Sequence, residues 1–134
     1  MLIHEKQWQE LTDVLYKILE GENTETAICF KLYLSQYMAL QDLYPDGRLK
    51  NETDEKKNAS LHERLDKAGI YLSLASVQNK EDVFLQLFYL LHWLCEEGEH
   101  IPYAAINDRV AHILYRVIHY IMNIPAMNLK TATL

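Results

Sequence analysis

His112, Arg116, His119 and Asn123 stand at i, i+4, i+7 and i+11 near the carboxyl end of the chain. On an α-helix that spacing sets all four on one face. An arginine there offers a fork that grips a carboxylate or phosphate through two hydrogen bonds, and the imidazoles add protonatable donors. The four residues are a candidate anion- or nucleotide-binding face, with Asp108 one turn earlier. The plainer reading is the polar outer side of an amphipathic helix, which needs no ligand.

A second group gathers around His92, Cys95, Glu96, Glu97, Glu99 and His100. Imidazole, thiolate and carboxylate all ligate zinc, and His92 and Glu96 lie one turn apart on a shared helix face. No second ligand pair follows at a recognised spacing, and there is no HExxH or CxxC, so no metal and no cofactor is expected. Carboxylates three residues apart recur at Glu10/Asp13, Glu22/Glu25, Glu52/Glu55, Glu63/Asp66 and Glu96/Glu99. Magnesium at a phosphate needs several hard oxygens converging. These pairs are scattered, and a chain with 19 acidic residues carries some by abundance alone. The four glycines are isolated, which excludes a phosphate-cradling loop. Neither Cys29 nor Cys95 has the neighbours that would activate a nucleophilic thiol.

What remains points to binding. Phe30, Tyr33, Tyr37 and Tyr44 place aromatics at i, i+3, i+7 and i+14 along one side of a helix. Such a stripe packs a core or forms an interface, and nine tyrosines in 134 residues is a high count for a side chain enriched at interfaces. With the neighbouring acids Asp42, Asp46, Glu52, Asp54 and Glu55, Tyr33, Tyr37 and Tyr44 make up the candidate partner-binding surface.

The elements that must position these residues are helical throughout. The fold class expected is all-α, a single-domain antiparallel bundle of about five helices spanning 1–134. Only 4 glycines and 3 prolines are available for turns, which suits long helices with few connections. The first helix runs from His4 to Glu20 on Trp8, Leu11, Leu15 and Ile18, with Val14 and Leu19 widening the stripe and Gly21 as a left-handed stop. The second starts at Asn23 or Thr24 and reaches Tyr44, where Tyr44-Pro45-Asp46-Gly47 reads as a turn. It is apolar nearly all round, which marks a central helix or one covered by a partner. Residues 48–58 read as an exposed charged connection or else a solvated extension of the next helix, because Leu49 is their only large apolar residue. The third helix is expected from Ser60, which forms a capping box with Glu63, and buries Leu61, Leu65, Ala68, Leu72 and Ala75. Its Gly69 permits close packing. The fourth opens at Asn79, stops at Gly98 and is expected to bury Phe84, Leu87, Phe88, Leu91 and Leu94. The fifth opens with Pro102, carries the seam Ile106, Val110, Ile113, Val117 and Ile121 with Leu114 and Ile118 beside it, and ends at Pro125. Residues 126–134 read as a tail.

Charge bounds the partners. A formal charge of −6 repels phosphate backbones and anionic membranes, and the longest basic stretch, Lys56-Lys57, follows Asp54-Glu55. No nucleic acid and no membrane partner is expected. The amino-terminal residues turn polar too early for a signal peptide, and the apolar run from Val83 to Cys95 is shorter than the roughly 20 residues that span a bilayer. With two thiols inside apolar helical runs, the expected setting is the cytoplasm. The resulting expectation is a small acidic protein-binding module, an inhibitor, immunity- or antitoxin-like protein or adaptor, that docks onto a partner with a basic surface or onto its own copy. The alternative is a small metal- or nucleotide-binding enzyme using His92, Glu96, His112 and His119. That requires the polar faces of the fourth and fifth helices to turn toward each other.

Overall fold

The computed structural model describes residues 4–43, 52–97 and 103–123, with side chains for 4–42, 55–95 and 106–122. Five helices follow one another: α1 (Glu5–Gly21), α2 (Glu25–Leu43), α3 (Glu52–Leu74), α4 (Lys80–Glu97) and α5 (Tyr103–Asn123). One cluster of buried side chains draws on all of them, from Leu15 and Phe30 through Leu72 and Tyr89 to Ile113. The protein is an all-α bundle. No described helix is long and apolar enough to cross a membrane.

The caps explain where the helices begin. Thr24 Oγ1 accepts the Ala27 N–H at 3.1 Å and Asn79 Oδ1 accepts the Asp82 N–H at 2.8 Å, each satisfying a donor that the first helical turn leaves open. Asp82 then ties the two capped loops together. Its carboxylate accepts from the Thr24 hydroxyl and, at 2.9 Å, from the Gln78 N–H.

Gly21 does not act as a left-handed stop. It is the last residue of α1, and the chain leaves through Glu22 in extended conformation at φ −104°, its N–H bonded to Ile18 O at 3.0 Å. An extended exit places no demand on glycine. The third helix also departs from expectation, starting at Glu52 rather than Ser60. Residues 52–58 contain no glycine or proline, and Glu52 lies four residues before Lys56 on the same face, so a solvated helix is available without apolar residues. The turn at 44–47, residues 48–51, Gly98, Pro102, Pro125 and the tail at 126–134 lie outside the described residues.

α4 is the central helix. α1 runs antiparallel to it, with Asn79 donating to Glu22 at one end and Trp8 meeting Phe88 edge-on at the other. α2 runs alongside it in parallel, from Thr24 at Asp82 to Tyr37 at His92. α3 is antiparallel to α4. Gln86 Nε2 donates to Leu72 O at 2.7 Å, and further along the pair Tyr89 lies against Gly69, where a Cβ would meet the ring carbon Cζ at 3.2 Å and the hydroxyl closer still. Gly69 is therefore where α3 lets the ring of Tyr89 in.

Phe84, Phe88 and Leu94 of the expected α4 stripe are half-buried against the core, but the fully buried side of α4 is a different one. Leu87 is 40% exposed, while Leu85, Tyr89, Leu90 and Trp93 are buried together with Asp82 and Gln86. Because α4 is apolar nearly all round, periodicity gives its orientation little direction. Two hydrogen-bonded polar side chains on the inner face, Asp82 and Gln86, mislead any rule that sends polar groups outward.

Candidate functional site

The α5 seam faces the core as its spacing predicts, with Ile113 and Val117 buried and Ile106, Val110 and Ile121 packed against them, but Leu114 and Ile118, expected beside that seam, are exposed. The four residues of the anion candidate are consequently divided. His112 and His119 are exposed, and the His119 ring lies 4.5 Å from that of Tyr115. Arg116 leans inward, with Nε and Nη2 buried and no hydrogen-bond partner for either among the described residues. Burial lowers its affinity for the proton, and the carboxylate of Glu25 works in the opposite direction. The Asn123 side chain lies outside the described residues.

Between α3 and α5 runs a groove of about 350 Å³, lined by Ile70, Ser73, Leu74, Asp108, Arg109 and His112. Arg109 is the residue that spacing analysis passed over. Its guanidinium donates to Asp66 at 2.5 Å and to the Tyr89 hydroxyl at 3.0 Å, and stands 4.4 Å from the centre of the Trp93 ring. Burial works against its charge, but Asp66 and Tyr89 outweigh it and hold the guanidinium protonated more firmly than usual. Tyr89 is pushed up to about 12, chiefly by its own burial and against the pull of Arg109. Its phenol is therefore neutral at physiological pH and serves as an acceptor. These contacts join α3, α4 and α5. They consume the donors that an anion would need, so the arrangement is structural. The signal for Arg109 was its place between Asp108 and Val110, flanking the apolar seam, where a cation must find partners inside.

His92 belongs to another part of the molecule. Its Nδ1 lies 2.8 Å from the Tyr33 hydroxyl, and its ring is bordered by Trp8, Tyr33, Tyr37 and Phe88 at centroid distances of 6.1, 6.0, 4.7 and 6.4 Å. It thus packs among α1, α2 and α4, while His112 lines the α3–α5 groove. Of the residues in the alternative site, His112 and His119 are exposed on α5, His92 is set among the rings of α1 and α2, and the side chain of Glu96 lies outside the described residues. Among the described residues no three His, Cys, Asp or Glu side chains are grouped to hold a metal. Cys29 and Cys95 are free thiols, and burial followed by the charge of Glu25 pushes Cys29 up, away from the reactive thiolate.

The tyrosine stripe turns inward. Tyr33 is buried and stacks edge-on against Tyr89 at 4.9 Å, and Tyr37 is half-buried against His92. These two are core residues, because α2 must present its largest rings to the central α4. Asp42 and Glu55 are exposed. Glu52 and Asp54 sit in the first turn of α3, with side chains outside the described residues, as are Tyr44 and Asp46 altogether.

Comparison with known proteins adds no relative: no family model matches the chain, and neither a curated protein nor a solved structure matches it. The unusual feature of the surface is apolar. Ile28, Leu32 and Met38 of α2 are exposed, and so are Leu114, Tyr115, Ile118 and Met122 of α5. Sequence spacing hid the α2 group, because a helix apolar on both sides does not announce which side is wet.

Proposed function

We propose that this protein is a small acidic docking module, of the kind that serves as an inhibitor, an immunity or antitoxin protein or an adaptor, and that it binds a partner protein through the outer side of α2. One observation carries this reading. Ile28, 58% exposed, and Leu32 one turn later point away from the core that Phe30 and Tyr33 fill. Exposed aliphatic groups on a helix already buried on its other side are kept in water at a cost unless a partner covers them. Carboxylates frame the stripe, with Glu25 at one end of α2 and Asp42 at the other, both exposed. In a chain of formal charge −6 they favour a basic partner and speed its approach. Two free thiols suit a reducing, cytoplasmic setting.

The test is a native pull-down with the tagged chain beside its Ile28→Asp variant. The reading expects one stoichiometric partner retained by the parent and lost by the variant, with an association rate that falls as salt rises. Equal retention by both chains, or none by either, rejects it.

A further inference from the structure

We propose that α1 is a strap that lifts from the aromatic side of α4 as a unit while the other four helices stay packed. The inference goes beyond the docking role and does not rest on it. Along its 17 residues α1 buries Leu15 alone. Trp8, Leu11 and Ile18 of its inward stripe are half-buried, and Trp8 lies edge-on to Phe88 at 5.8 Å and to His92 at 6.1 Å. Among the described residues no hydrogen bond or ion pair joins a residue of α1 to another helix. The polar ties begin past its end, at Glu22, whose carboxylate accepts from Asn79 Nδ2 at 3.3 Å and whose carbonyl accepts from Lys31 Nζ at 3.1 Å. They hold the pivot and leave the helix itself free.

The other four helices are stitched to one another. Gln86 of α4 donates to Thr26 of α2 at 3.2 Å and to Leu72 O of α3 at 2.7 Å, and Arg109 of α5 donates to Asp66 of α3 and to Tyr89 of α4. Parting any of these helices from the rest takes partners from inward-facing polar groups, whereas lifting α1 gives up apolar contact only. With one buried leucine and a few half-buried side chains to hold it, α1 stands at the low end of the range of local stabilities within the fold. Gly21 adjoins the pivot. An added Cβ there meets nothing within 4 Å, so neither packing nor the extended exit calls for glycine, and what it supplies is backbone freedom where the strap turns. Lifting α1 uncovers Phe88 and His92, while the bond of His92 Nδ1 with the Tyr33 hydroxyl at 2.8 Å, made between α4 and α2, is kept.

Hydrogen exchange of the full chain, read by mass spectrometry on peptides from each helix, tests this. Peptides from α1 are expected to exchange at least about tenfold faster than those from α4. Leu15→Ala removes the one buried anchor, so it should quicken exchange in α1 and leave the α4 rate unchanged. Trp8→Ala, at a half-buried site, should act the same way and supplies the reading if Leu15→Ala does not fold. A common exchange rate for α1 and α4 in the parent, or a variant that quickens both helices by the same factor, overturns the proposal, because α1 would then belong to a single cooperative core.

Discussion

Replacing Arg116 by methionine should make the protein more stable. The guanidinium keeps its charge at every pH where the protein is folded, yet two of its nitrogens, Nε and Nη2, are shut away from water with no acceptor. An unsatisfied buried donor costs about 1–3 kcal/mol, and more when charged. The residue is half-buried and solvent screens part of its charge, which places the penalty toward the lower end of that range. Methionine keeps an unbranched apolar stem and removes both donors. A gain of about 1–2 kcal/mol is expected, which for a chain of this size raises the melting temperature by roughly 3–8 °C. Thermal unfolding by circular dichroism, with urea midpoints as a second measure, reads it directly. A loss of more than about 1 kcal/mol would refute the reasoning, because it would mean that the guanidinium makes bonds worth more than its desolvation. Glu25→Gln sharpens the test. It removes the one charge that favours Arg116, so it should destabilise the parent and have a smaller effect in the methionine background.

Two further substitutions probe the packing. Ile113→Ala empties a fully buried site and should cost about 2–5 kcal/mol, whereas Leu87→Ala, at a position 40% exposed, should cost less than half as much; equal losses in urea unfolding would show that α4 is rotated from the orientation described. Gly69→Ala should destabilise by roughly 1–3 kcal/mol although alanine is the better helix former, because the new methyl occupies the place of the Tyr89 hydroxyl. Adding Tyr89→Phe should recover part of that loss, and a neutral Gly69→Ala in the parent would remove the close approach from the account.

The fold was legible where polarity and periodicity agree. The seam of α5 and the buried side of α3 follow directly from apolar residues three and four apart, and Thr24 and Asn79 announce their helices through side chains that cap them. Legibility failed on α4. Its outer residues are nearly as apolar as its inner ones, and the inner face holds Gln86, whose amide donates to Leu72 O and Thr26 Oγ1. A hydrogen bond formed between residues 60 positions apart leaves no periodic trace. The candidate site suffered from the same blindness. Arg116 and His112 share a helical face by spacing, but the long arginine side chain carries its guanidinium inward while the shorter imidazoles stay at the surface, so a line of polar residues in sequence became one half-buried cation and two exposed imidazoles.

The outer side of α5 is best judged against the way this chain builds a helix that only needs to be wet. The first turns of α3 do this with Glu52, Asp54, Glu55, Lys56 and Lys57, charged side chains that keep a helix soluble and support it through pairs one turn apart. Glu63 and Lys67 continue the pattern with an ion pair at 3.3 Å. On α5 the equivalent positions hold Ala111, Leu114, Tyr115, Ile118 and Met122. Leucine or isoleucine in water contributes nothing to the stability of a helix that lysine or glutamate would not supply equally well. Composition does not account for the contrast, since both helices belong to one chain with 13 basic and 19 acidic residues to place. The difference lies in what each surface meets. The start of α3 is made to face water, and the outer side of α5 has the composition of a surface made to be covered.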